Sequence, residues 1–102
     1  MQSDIKKLFI NKYSALGEER FFKFLISYAL KRKVDIDTGK YNPAMELIDY
    51  YDMFLKLYRR EGDIIYLDIA RQFRKAANKI YRILLNKKMI TKNNDKFLNI
   101  VE

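Results

Sequence analysis

The chain contains no cysteine, no histidine and no tryptophan, with a single proline and three glycines. Each absence narrows what it can be. Without cysteine there are neither disulfides nor thiolate metal sites, so stability must come from packing. Without histidine the commonest general base and the commonest metal ligand are missing together, leaving carboxylates, Lys and Tyr for any acid–base role. No enzymatic activity, cofactor or metal is therefore expected. Long apolar runs are also absent. Stretches such as Phe24–Ile26 fall far short of the roughly 18 residues a membrane span needs. The start MQSDIKK has no signal-peptide core, so the expectation is a soluble, unexported protein with no membrane partner.

What is present points to a folded, helical chain. The 102 residues are one domain's worth, enough to bury roughly two thirds of the unfolded surface in a single core. At 49% apolar and 15% aromatic, with charges interleaved, the chain is too rich for disorder. The formal charge of +8 favours an anionic partner, although Lys-rich surfaces are also common for solubility alone.

Ile5, Leu8, Phe9, Tyr13 and Leu16 recur at helical spacing behind Ser3 or Asp4 as a cap, and Gly17 ends that helix. Glu18 and Glu19 open a second helix carrying Phe21, Phe22, Phe24, Leu25, Tyr28 and Ala29, which closes on Lys31, Arg32 and Lys33. Residues 34–42, VDIDTGKYN, read as a linker, and Asn42-Pro43 as the start of a third helix reaching about Glu61. Its apolar residues cover about half the helical wheel, so it should pack on more than one neighbour. Gly62-Asp63 repeats the stop-and-start signal. A fourth helix then runs to about Lys88, with Tyr66, Ile69, Phe73, Ala76, Ile80 and Ile83 as its buried seam. A short C-terminal helical turn docking Phe97 and Ile100 is left open.

Shifting the chain by 45 positions aligns Asp4 with Asp49, Phe9 with Phe54, Tyr13 with Tyr58 and Gly17 with Gly62. Class is kept at Phe21 and Tyr66, Phe24 and Ile69, and Tyr28 and Phe73. Any two amphipathic helices share spacing, but a glycine with an acidic follower in register with both helices favours duplication. The expected fold is all-α: two similar helix-Gly-helix motifs packed as a pseudo-symmetric four-helix domain. Unit one covers about 4–30 and unit two about 49–75, with the last helix extended to about 88. The tandem pair DIKKLFINKY and DYYDMFLKLY, the chain length, the lack of cysteine and the abundance of Lys, Ile and Tyr resemble the small helical proteins of Acidianus filamentous viruses, lipothrixviruses of hyperthermophilic archaea. That resemblance implies a helical protein with two similar motifs, working in the cytoplasm of an archaeal host cell, with no catalytic residues to carry over.

Several short patterns carry no chemistry. Asp37-Thr38-Gly39 matches an aspartic-protease triplet, but it sits between helices rather than on paired β-loops. Asp35 and Asp37 have calcium-loop spacing, yet Gly39 arrives one residue early. Asp49, Asp52, Lys56, Arg59 and Arg60 on the third helix read as a solvated polar face with ordinary ion pairs. Residues 68–86 resemble the helix-turn-helix of lactose-repressor-type regulators, but Arg74 stands where the turn needs glycine and Lys75 where it needs an apolar side chain. An unbroken helix is expected there.

Two working surfaces follow. The first is a groove between the two motifs that takes a protein or peptide partner, viral or host, with Tyr13, Tyr28, Tyr51 and Tyr58 as its contacts, since Tyr pairs an apolar ring with a polar tip. The alternative is nucleic-acid binding through Arg71, Arg74, Lys75, Lys79 and Arg82 on the exposed side of the fourth helix, together with the cluster of Lys31, Arg32 and Lys33. A role in particle assembly and a homo-oligomer stay open beside these.

Overall fold

The computed structural model describes residues 2–31 and 43–86. Among these the chain is all-helical: α1 (Gln2–Leu30), α2 (Pro43–Glu61) and α3 (Ile64–Asn86). The linker at 34–42, the Asn42 cap, Arg32 and Lys33, the last residues of the expected fourth helix and the C-terminal turn lie outside the described residues.

The two helices expected either side of Gly17 follow one another directly, so α1 is a continuous helical stretch broken at that single residue. Gly17 has φ 81° and ψ 176°, a region that belongs to glycine almost alone. The bend is large. In a straight helix Phe9 and Phe21 would sit about 18 Å apart along the axis, and Phe9 and Tyr28 about 28 Å. Their ring centroids are instead 6.5 Å and 5.9 Å apart. The two halves of α1 therefore fold back on one another, with no loop between them.

The second corner is built differently. Gly62 has φ 76°, and its N–H donates to the Tyr58 carbonyl at 2.7 Å, which closes α2 with a left-handed cap. Asp63 then caps α3: its Oδ1 accepts from the Ile65 N–H at 3.1 Å, satisfying one of the helix's orphan donors. Across this corner the Phe54 ring stacks on Phe73 at 5.6 Å and meets Tyr66 at 6.3 Å.

The centre of the molecule is α3. Sequence periodicity points to more than one neighbour for α2, and the two are unequal: α2 lies chiefly along α3 and meets α1 more narrowly, as where Tyr50 packs on Phe9 at 5.0 Å. On α3 the expected seam residues Ile69, Phe73, Ala76 and Ile80 are fully buried, whereas Tyr66 and Ile83 are half-buried. Ala70, Gln72, Ala77, Tyr81 and Leu84 are buried as well, which widens the seam into a face covered by both other helices. Alanines at 70, 76 and 77 let those neighbours approach closely. Phe73 receives Phe9 and Phe21 from α1 at 4.9 and 5.9 Å, and Tyr50 and Phe54 from α2 at 5.5 and 5.6 Å. Arg74 and Lys75 are helical like their neighbours, so α3 has no turn and is not a helix-turn-helix.

Candidate nucleic-acid interface

Burial of one face of α3 dictates what the other face carries. With positions 69, 70, 72, 73, 76, 77, 80, 81 and 84 turned inward, Arg71, Lys75, Lys79 and Arg82 fall on one outward stripe at steps of four, four and three, with Arg74 beside them. All five are exposed. At 1.5 Å per residue the stripe is about 16 Å long. Asp68 is the sole carboxylate on this helix, and Arg71, Lys75 and Arg82 make no ion pair with any described residue. Glu46 and Asp49 border a concavity of about 340 Å³ with Ile5, Tyr50 and Met53, on the first turns of α2.

The stripe also forms one wall of a trough against the second half of α1. A concavity of about 330 Å³ lies between Glu18, Glu19, Phe22, Gln72 and Lys75. A larger one, about 520 Å³, shares Phe22 and Lys75 and continues past Lys79, Arg82 and Ile83 to Asn86. The Lys79 Nζ sits over the Phe22 ring, 5.8 Å from its centroid. Gln72, only 3% exposed, donates from Nε2 to Glu18 Oε1 at 3.0 Å and ties the Gly17 corner to α3. Phe22 is absent from the sequence-derived candidates because its spacing marks it as core. Only the packing of α1 against α3 places its half-buried ring beside the cations.

The four tyrosines proposed as partner contacts are all half-buried. Tyr13 packs edge-on against Phe21 at 5.4 Å, and Tyr28 meets Phe9 at 5.9 Å and Phe24 at 6.3 Å. Tyr51 and Tyr58 lie on α2, where the Tyr58 carbonyl takes the Gly62 N–H. None of the four lines any of the three concavities above.

Two tyrosine hydroxyls hold their protons more tightly than usual. Burial, then the Asp68 and Glu18 carboxylates, raises the Tyr13 pKa above its ordinary 10.0. Burial, then the carboxylates of Glu61 and Asp63 with a hydrogen bond to Glu61, does the same for Tyr66. In each case the folded chain keeps a proton that the unfolded chain releases first, so stability is full below the unfolded value and falls as pH rises through the folded one. Thermal melts should show a midpoint that is flat up to about pH 9.5 and declines above about pH 10. Phenylalanine at position 13 should weaken that decline.

Among the described residues no group of three or more Asp or Glu side chains is placed to hold a metal ion, and no helix is long and apolar enough to cross a membrane. Compared with protein-family models, with curated proteins and with solved structures, the chain matches none.

Proposed function

We propose that the protein is a non-enzymatic nucleic-acid-binding module whose contact face is the outer side of α3. The observation that carries this reading is the one-sided row of Arg71, Lys75, Lys79 and Arg82, all exposed and none in an ion pair with a described carboxylate, with Glu18 and Glu19 bordering the row only at its Lys75 side. A stripe that served only solubility would gain by pairing its charges along the helix, as Glu19 and Lys23 pair on α1 at 3.8 Å. Cations on a rigid helix with no ion pair among the described residues are what a phosphate backbone rewards, because each neutralised phosphate releases a condensed counterion.

The structural half of the proposal is duplication. The same pairs of ring positions meet within residues 9–28 and within 54–73, Phe9 with Tyr28 at 5.9 Å beside Phe54 with Phe73 at 5.6 Å, and Phe9 with Phe21 at 6.5 Å beside Phe54 with Tyr66 at 6.3 Å, edge-on in the first unit and stacked or tilted in the second. Both corners also turn on a positive-φ glycine. On this reading the domain is two folded-back helical pairs related by a pseudo-twofold, and the second pair has extended its last helix into the binding face. The resemblance of the tandem pair to Acidianus viral proteins is the basis for proposing the cytoplasm of an infected archaeal cell as its setting. A protein partner at Tyr13, Tyr28, Tyr51 and Tyr58 is the second reading, and the matched half-burial of Tyr13 and Tyr58 is what favours it.

The test is binding to labelled oligonucleotides as a function of salt. Affinity should fall steeply between 50 and 200 mM salt. Replacing Arg71, Lys75 and Arg82 together by Gln should flatten the log–log slope by about 2 to 3, at 0.7 to 0.9 per lost phosphate contact. Absence of binding at the lowest salt, or a slope untouched by the triple change, overturns the proposal.

A further inference from the structure

The basic face has a property that a bare row of cations lacks: it borders a trough in which Phe22 and Ile83 line the wall beside the cations. We infer that the preferred ligand is single-stranded nucleic acid, with a base stacked on Phe22 while neighbouring phosphates engage Lys75, Lys79 and Arg82. This deepens the nucleic-acid reading and rests on it.

Three features of the trough carry the inference. First, Phe22 and Ile83 line a concavity of about 520 Å³ together with three cations of the stripe, a volume in the range of small-ligand clefts. A duplex keeps its bases sealed in the stack and offers only phosphates, so it has no use for an aromatic ring at that site. A single strand brings flat, apolar-bodied bases on the same backbone as the charge. Second, Lys79 covers the Phe22 ring at 5.8 Å. An arriving phosphate competes for that ammonium, and its departure bares the ring face for stacking. Third, Glu18 and Glu19 line the other end of the trough. Their charges repel phosphate and confine the strand to the segment from Lys75 to Asn86, about 16 Å of helix. An acidic peptide would satisfy the cations but has no flat ring to exploit Phe22 with every charge.

The experiment compares four labelled probes by fluorescence anisotropy at fixed low salt: a short oligothymidylate, an abasic strand with the same phosphates, a duplex of the same length, and an oligoglutamate peptide. Oligothymidylate should bind the unmodified protein about 5- to 150-fold more tightly than the abasic strand, the range expected for loss of one stacked base. Phe22→Leu should bring that ratio close to one. If the two strands bind alike while the Gln substitutions still flatten the salt slope, base stacking falls and the phosphate-binding reading survives. If only oligoglutamate binds, both fall. The probe comparison uses the unmodified protein, so it decides the matter even if Phe22→Leu fails to fold.

Discussion

Phe73→Ala should destabilise the protein by about 3–5 kcal/mol, the largest effect expected of any single truncation here. The ring is fully buried and is the point where all three helices meet, touching Phe9 and Phe21 on α1 and Tyr50 and Phe54 on α2. Its removal forfeits the transfer free energy of the ring and leaves a cavity. The surrounding rings cannot collapse into that cavity without giving up contacts among themselves, such as the edge-on pair of Phe9 and Phe21 and the Phe9–Tyr50 contact at 5.0 Å. Domains of this size have only about 5–15 kcal/mol to lose, so the variant should sit near its unfolding threshold. Urea denaturation should show a much lower midpoint with an unchanged m-value. Phe73→Leu, which keeps an apolar side chain of nearly adequate volume, should cost less. A loss below about 1 kcal/mol for Phe73→Ala would mean that α1 and α2 do not converge on α3 as described.

How much of this was legible beforehand differs between the corners and the core. Gly17 and Gly62 announce themselves because a glycine between two amphipathic runs, followed by an acid, is where the chain needs positive φ and a new helix start. The continuity of α3 was readable for a related reason, since Arg74 and Lys75 offer nothing that could make a turn. Periodicity says which face of a helix is apolar but not which neighbour covers it. So the breadth of α2 indicates more than one neighbour without saying how unequal they are, while the alanines of α3 are what admit two close neighbours. The same blindness hid Phe22. On a wheel it belongs with Phe21 and Leu25, which are fully buried, yet it lies at the margin of the α1–α3 contact and comes out half-exposed beside Lys79. The five cations needed no such help, because a residue opposite a buried face is outward by geometry alone.

Gly17→Ala is the substitution whose sign tests the architecture itself. In a straight helix it should be favourable, since alanine exceeds glycine in helix propensity by about 1 kcal/mol. At φ 81° and ψ 176° it should instead cost about 1–3 kcal/mol. The cost is wholly local, because a Cβ at this position meets nothing within 4 Å. Asparagine should not rescue it, because the left-handed helical region that Asn tolerates has ψ near +47°, far from the angle here. Gly62→Asn, at a left-handed cap with a hydrogen bond to Tyr58, should by contrast be mild. Relief of the strain at position 17 by straightening α1 is closed off. That would carry Phe21 and Tyr28 away from Phe9 and expose an aromatic cluster that the rest of the fold is packed around. A thermal midpoint lower by roughly 4–8 °C for each kcal/mol lost is the expected result, with Gly17→Asn as low as Gly17→Ala. An alanine variant more stable than the parent would mean that α1 runs straight through position 17, and the folded-back pair, the duplication and the trough beside Phe22 would go with it.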